Sequence, residues 1–471
     1  MRAVRAPKRA RHRRREGGVA LIMVLGAIAV MIVMLADFQD DAGAEFASAT
    51  AARDSVQAEY MARSALNLSR LLVAAEPTMR QAIAPLFALA QRTVPQIPVW
   101  EYADRILGVF NAKEGAQDFL GLSGLDPSRG KNLGLRGGSF EIVIVDEDAK
   151  INVNMGASNE IAHIRVARQL MGRMAPPQYN PLFERPDSTG NYSDRLSICA
   201  ALIDWADPDE QLYSCDLTAA PSSNAVEDGW YQLLAKPYRR KNAPYDSLDE
   251  LHMVRGITDD YWSTFVDPDP TNPRKRELTV WGQGTINVNT ANPLTLFAII
   301  CSGAPQAELC TDPSGTQMQT FVTGVMMAQG MTMGAPLFGS TADFIATMKG
   351  QGMLGPMLSA LGMKPVKFSS ESDFAKSIST ESKVFSIYAI GVVKGYKRET
   401  RVRVHAVVDF RAAPTLSNLA SAVAGAAGAS GAPGATGATS ATGSQAASSA
   451  SALQAAMQPS IGGQILHFTI Q

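Results

Sequence analysis

The stretch that decides the fold is Gly17–Ala36, GGVALIMVLGAIAVMIVMLA, which contains no charged residue. Twenty helical residues at about 1.5 Å each span about 30 Å, the depth of a bilayer's hydrocarbon core. Upstream, residues 1–18 hold eight basic residues and one acid, and Asp37, Asp40 and Asp41 follow downstream. The positive-inside rule places the short basic tail in the cytoplasm and the body on the far side of the membrane. A cleaved secretory signal is the plain alternative. The apolar run is longer than a usual signal core, and no A-x-A-like site closes it before the acids.

Working outward, residues 42–75 are Ala-rich, lack Pro and carry one Gly. Ala58, Met61, Ala65, Leu68 and Leu72 recur at helical spacing, so the helix is expected to continue and to end before Pro77. The 471-residue chain has a net charge of −1, which leaves −8 outside the basic leader. With 46% hydrophobic and 18% charged residues it has material for a core, and an acidic body argues against a general nucleic-acid binder.

GSFEIVIVD (138–146) alternates as a strand. VFSIYAIGVVKGYKRETRVRVHAVVDF (384–410) reads as two strands around Gly395. More than 200 residues of mostly helical or loop character lie between them. The expected fold is α+β: a long N-terminal helix on a small antiparallel sheet, with a large helical domain inserted at 155–375. Residues 77–154 would form the first part of the body and 376–411 the hairpin. Residues 412–462 lack charge and are rich in Ala, Gly and Ser, a flexible linker by composition. The apolar end GQILHFTIQ is expected to bring Ile465–Ile470 back to pair with 401–410; a frayed terminus is the alternative.

The Gly17-Gly18 pair set directly against the apolar helix resembles the class III leader of type IV pilins and type II secretion pseudopilins. The resemblance implies cleavage between Gly18 and Val19 by a prepilin peptidase, with methylation of the new N-terminus. It also implies a helix spanning 19–36 that stays as membrane anchor and later packs in a fibre. Most such subunits carry Glu as the fifth mature residue; here that position is Met23. DEDAKINVN (146–154), ALIDWADPDEQ (201–211), NAVEDGWYQ (224–232), KPYRRKNAPYDSLDELHMVRGITDDYW (236–262) and GTINVNTANP (284–293) resemble, in order, the K-type minor pseudopilin family, also called general secretion pathway protein K. The missing Glu is a habit of that family. The resemblance implies an inner-membrane tip subunit with its body in the periplasm. It also implies I-type and J-type minor pseudopilins and the inner-membrane assembly platform as partners. A type IV pilus minor pilin is the nearby alternative.

The family also implies calcium-binding loops. Asp204, Asp207, Asp209 and Glu210, with Glu227 and Asp228, are carboxylates in an irregular stretch, which suits an oxygen-loving cation. The spacing is not an EF-hand, and capping acids would look the same. Cys199, Cys215, Cys301 and Cys310 admit three pairings, or none. Cys199–Cys215 would brace the acidic loop, and Cys301–Cys310 would close a short one. No G-x-S-x-G, P-loop or HExxH is present, and the five histidines are scattered, so the chain reads as a non-enzyme. SLDELHMVRGIT (247–258) is similar to helix-hairpin-helix modules, which admits a membrane-anchored DNA receptor of competence type. The acids around Arg239, Arg240, Lys241 and Arg255 would repel phosphate, and a SAM-like protein-binding bundle is the expected form.

Overall fold

The structure, a computed structural model, describes residues 17–89, 93–111, 138–186, 190, 192–216, 229–312, 314–332, 335–352, 354–395, 398–414, 460 and 462–471. Residues 1–16, Glu227, Asp228 and nearly all of the 412–462 segment lie outside the described residues.

Helix α1 runs from Gly17 to Leu89 with Pro77 and Pro85 inside it. It does not stop before Pro77 as expected from sequence. An interior proline costs about 3 kcal/mol, and tertiary ties offset it. The buried Glu76 carboxylate accepts the Ile97 N–H at 2.9 Å. Arg80 lies 3.5 Å from Glu76 and also pairs with Glu381. Gln96 in turn donates to the Ser382 carbonyl at 2.9 Å and accepts the Ser382 N–H at 2.6 Å. The turn past Pro77 is thereby fastened to the chain that follows the helix.

From Ala58 onward α1 buries one face. Ala58, Met61, Ala62, Ala65, Leu66, Leu72 and Val73 are buried, and Leu68 is half-buried. Their partner is a four-stranded antiparallel sheet in the order β1 (Gly138–Asp146), β6 (Val384–Gly395), β7 (Arg398–Asp409), β8 (Gln464–Ile470). The α1-facing side carries Phe140, Ile142, Ile144, Ile387, Ala389, Val404, Ala406 and Val408. The period-2 pattern of each strand sends its alternate residues to the other side. The short helix α2 (Ala103–Leu107) and Trp100, whose ring lies 4.7 Å from Phe385, close one end of this core. Strand β8 pairs with β7 from Val404↔Ile470 to Asp409↔Gln464, with a register shift at Val407/Val408. Arg70 of α1 donates to the carbonyls of Gly462 at 2.7 Å and Gly463 at 2.9 Å, fixing where β8 begins.

Between β1 and β6 the chain builds a separate core. Sequence reading set this insertion at 155–375. Its structural limits are wider, because four two-residue strands that carry no readable periodicity frame it. Strand β2 (Ile151–Asn152) pairs parallel with β3 (Leu278–Thr279), and β4 (Ile286–Asn287) pairs parallel with β5 (Ile378–Ser379). Each pair opens with the text I-N-V-N and encloses one lobe. In the first lobe, α3 (Glu160–Met174) and α4 (Arg195–Asp204) are N-capped by Asn159 and Asp194. In the second, α5 (Pro293–Gly303) is N-capped by Asn292, and α6 (Thr316–Met331) and α7 (Thr341–Met348) follow. Gly172 lets α3 cross α5 closely, since a Cβ there would meet the Ala298 carbonyl oxygen at 2.6 Å.

Candidate functional site: an unburied apolar helix on a polar junction

Among the described residues, none packs against α1 between Gly18 and Ala49. Every residue from Gly18 to Ala49 is exposed, including Val19 at 61%, Met23 at 70% and Phe38 at 71%. Among the described residues this is the one helix long and apolar enough to cross a membrane. A Cβ at Gly18, Gly26 or Gly43 would meet no atom within 4 Å. So large an apolar surface on one element marks a place for lipid or for other helices. Gly18 and Val19 lie at its start, within the first turn.

The two INVN motifs hold the body together in the same way. Asn152 accepts the Asn154 N–H at 2.9 Å, and Asn287 accepts that of Asn289 at 3.0 Å. The second Asn of each then clamps a distant backbone residue by both its groups. Asn154 accepts the Tyr245 N–H at 2.7 Å and donates to the Tyr245 carbonyl at 3.0 Å. Asn289 accepts the Phe338 N–H and donates to the Phe338 carbonyl, both at 2.9 Å. The repeat was visible in sequence as two copies of I-N-V-N, but nothing there told which backbone each copy would reach.

The acids that precede the first copy form the junction between sheet and insertion. Asp146 accepts from Ser382 Oγ, Thr290 Oγ1 and the Asp148 N–H. Burial, with Asp148 alongside, pushes its carboxyl up to about 7. Asp148 accepts the Gln283 N–H at 2.7 Å and the Lys383 N–H at 2.7 Å, so it ties β1 to both later segments. Gly282 has φ +107°, and a Cβ there would meet Asp148 Oδ1 at 2.9 Å. Glu147 pairs with Lys150 at 3.1 Å and accepts from Thr279.

The acidic loop is organised as a set of caps. Asp204, at the end of α4, is buried and accepts the Tyr213 N–H at 2.9 Å. Burial raises its carboxyl to about 7, against the opposing pull of that hydrogen bond and of Arg240. Asp207 is buried, accepts the Asp209 N–H at 3.1 Å and stands 3.6 Å from His163 Nδ1. Asp209 accepts the Gln211 N–H at 2.7 Å. Asp209 and Glu210 are exposed. Among the described residues no three His, Cys, Asp or Glu side chains gather as they would around a metal. Of the carboxylates expected to bind calcium, Asp204, Asp207, Asp209 and Glu210 sit in this loop, with Asp204 and Asp207 turned to the protein's own backbone. Glu227 and Asp228 lie outside the described residues.

Cys199 and Cys215 are bonded across this loop with Cα atoms 6.1 Å apart, and Cys301 is bonded to Cys310 at 5.6 Å. In the helix-hairpin-helix-like stretch, Gly256 sits at φ +81° against Ile198. Its neighbouring cations are engaged: Lys241 bonds Asp246 at 2.6 Å and Glu250 at 3.0 Å, and Arg255 lies over Trp230.

Comparisons with known proteins agree with the motifs. Residues 149–265 match the family model described as type II secretion system (T2SS), protein K. The chain is 26% identical over 254 residues to the type II secretion system protein K of Pectobacterium carotovorum subsp. carotovorum, covering 53% of this chain and 61% of that one. It is 24% identical over 247 residues to protein K of Klebsiella pneumoniae, covering 52% and 59%. The matched region spans about three fifths of these relatives' lengths. Among solved structures, the GspK–GspI–GspJ complex of the enterotoxigenic Escherichia coli type 2 secretion system aligns at 16% identity with a TM-score of 0.36. That alignment covers 59% of this chain and 76% of the other. Residues 149–265, which run from the polar junction through the acidic loop, are therefore the part of the chain that resembles protein K of the type II secretion system.

Proposed function

We propose that this chain is a minor pseudopilin at the tip of a type II secretion pseudopilus, anchored by α1 in the inner membrane with its body in the periplasm. The observation that carries the reading is the division of α1. Its first half is apolar and unburied, and its second half is locked to the sheet of a body that resembles protein K over residues 149–265. Such a subunit is held by lipid before assembly and by the helices of neighbouring subunits after it. Helix packing drives the association, because apolar surface that leaves lipid for a neighbouring helix gains no transfer energy from water.

A prepilin peptidase would cut between Gly18 and Val19 and methylate Val19. I-type and J-type minor pseudopilins would pack along α1, and the assembly platform would extend the fibre beneath them. Met23 fits the tip position. A carboxylate there, in lipid without a partner, would cost several kcal/mol, and a tip subunit has no neighbour above it to pair with. The bulky insertion would block the addition of a further subunit above it. The role is steric and assembly-directed, and no step calls for catalysis. Any calcium would draw on Asp209 and Glu210, the exposed acids, together with Glu227 and Asp228.

The test is Gly18→Leu in the full chain, expressed with its secretion system. The expected result is accumulation of unprocessed precursor and loss of export. A mature-sized product from the variant would overturn the cleavage assignment. Normal export by a chain that stays uncut would overturn the role in the fibre.

A further inference from the structure

A cavity of about 320 Å³ lies between the inserted domain and the sheet face opposite α1. That face is unlike the apolar side under α1. Successive outward positions of β7 are Arg403 and His405, and His405 lies opposite both Tyr388 of β6 and Thr469 of β8. From the insertion, Lys150, Arg276 and Trp281 complete the wall. The Tyr388 ring stacks on His405 at 4.2 Å, His405 neighbours His467 at 5.4 Å, and His467 neighbours Trp281 at 5.7 Å. The Arg403 guanidinium lies 4.6 Å above Tyr388.

The cavity lining carries three basic groups, Lys150, Arg276 and Arg403, and three carboxylates, Glu147, Asp246 and Asp249. Lys150 is paired with Glu147, and Arg276 with Asp267 at 2.7 Å. Asp246 and Asp249 reach the rim on exposed residues, Asp246 already bonded to Lys241. Arg403 exchanges backbone hydrogen bonds with Gln471 at 2.8 Å. Its guanidinium has no carboxylate partner among the described residues, and its buried Nε–H has no acceptor. The buried Nε2 of His405 is likewise without a partner. A buried donor left unmet costs about 1–3 kcal/mol. A guanidinium presents its donors in a planar fork that matches carboxylate and phosphate oxygens.

We propose that this cavity binds a small oxyanion, a carboxylate or phosphate group, through the Arg403 fork with His405 beside it. Among the described residues, Arg403 is the cation of this lining that no carboxylate pairs. The Tyr388, His467 and Trp281 rings supply an apolar wall for the stem that carries the group. The site is independent of the fibre reading, since it uses neither the anchor nor the leader.

The test uses the full chain in detergent with ¹³C-labelled histidine, at fixed pH and ionic strength. Five histidines keep the spectrum resolvable. The probes are inorganic phosphate and, separately, N-acetylaspartate. The expected result is a saturable shift of the His405 and His467 ring signals, with the tighter probe naming the favoured anion. Arg403→Met should weaken binding at least tenfold. Arg401→Met, two residues along the strand and held by Glu399 and Glu141, should leave it unchanged. Arg403→Lys keeps the charge without the fork and should bind in between, which covers the case in which Arg403→Met fails to fold. No saturable shift with either anion overturns the site, as does a titration unchanged in Arg403→Met. Parental affinity in Arg403→Lys overturns the role of the fork.

Discussion

Replacing Gly391 with alanine places a methyl group where α1 crosses β6. The added Cβ would stand 1.8 Å from the Ala58 carbonyl oxygen and 2.8 Å from the Ala62 nitrogen. Both are helix backbone atoms, so no side chain can swing away. An ordinary contact needs about 3.5 Å or more, so helix and strand must part by more than an ångström. Alanine favours neither side enough to help: its backbone-entropy advantage over glycine is about 0.5–1 kcal/mol. Overpacking a tight core costs about 1–3 kcal/mol when side chains can adjust. With backbone on both sides we place the loss near the top, at about 3 kcal/mol. Parting the two also loosens the burial of Met61 and Ala65, which are fully buried against the sheet. At about 2–4 °C per kcal/mol for a body of this size, the melting temperature should fall by about 6–12 °C. Circular dichroism of the detergent-solubilised chain reads this directly. Gly26→Ala is the control, because nothing lies within 4 Å of its Cβ; it should be neutral or slightly stabilising. An unchanged melting temperature in Gly391→Ala would refute the close packing of α1 on the sheet.

Three further outcomes follow from the body. Reducing Cys199–Cys215, which joins residues 16 apart, should cost about 3 kcal/mol, seen as a lower melting temperature in reductant that Cys199→Ser/Cys215→Ser reproduces. Asn154→Ala removes three hydrogen bonds, two to Tyr245 and one to the Val280 carbonyl; it should cost about 3 kcal/mol in chemical denaturation, and a loss under 1 kcal/mol would contradict the clamp. Asp204 is raised from 3.8 to about 7 by burial, so it favours the folded state fully below pH 3.8, and that contribution is lost as pH rises toward 7. Asp204→Asn should therefore flatten the decline in melting temperature between pH 4 and pH 7, and an identical slope would remove Asp204 as its source.

The long helix and the three main strands were legible because each carries a period. Ala58, Met61 and Ala65 mark the buried face of α1 at helical spacing. GSFEIVIVD alternates buried and half-buried along most of β1. The C-terminal pairing was legible from its apolar text alone, GQILHFTIQ. The end of α1 was misplaced because a proline rule is local, whereas Glu76 and Arg80 are held by residues far along the chain. The two lobes were hidden because two-residue strands leave no pattern, and the role of each INVN depends on a backbone 91 or 49 residues away. In the acidic loop the sequence showed that carboxylates cluster, but not which way each one faces. Whether an Asp faces a cation or the Tyr213 N–H depends on how α4 ends, which composition does not encode.

The central claim is that α1 is exposed to the membrane from its first turn and enters the fibre from a cleaved precursor. Intact mass and N-terminal sequence of the membrane-extracted protein test it most directly. The account predicts an N-methylated chain beginning at Val19. A chain beginning at Met1 would contradict the cleavage and leave an uncut membrane anchor, and one beginning beyond Ala36 would contradict the anchor itself.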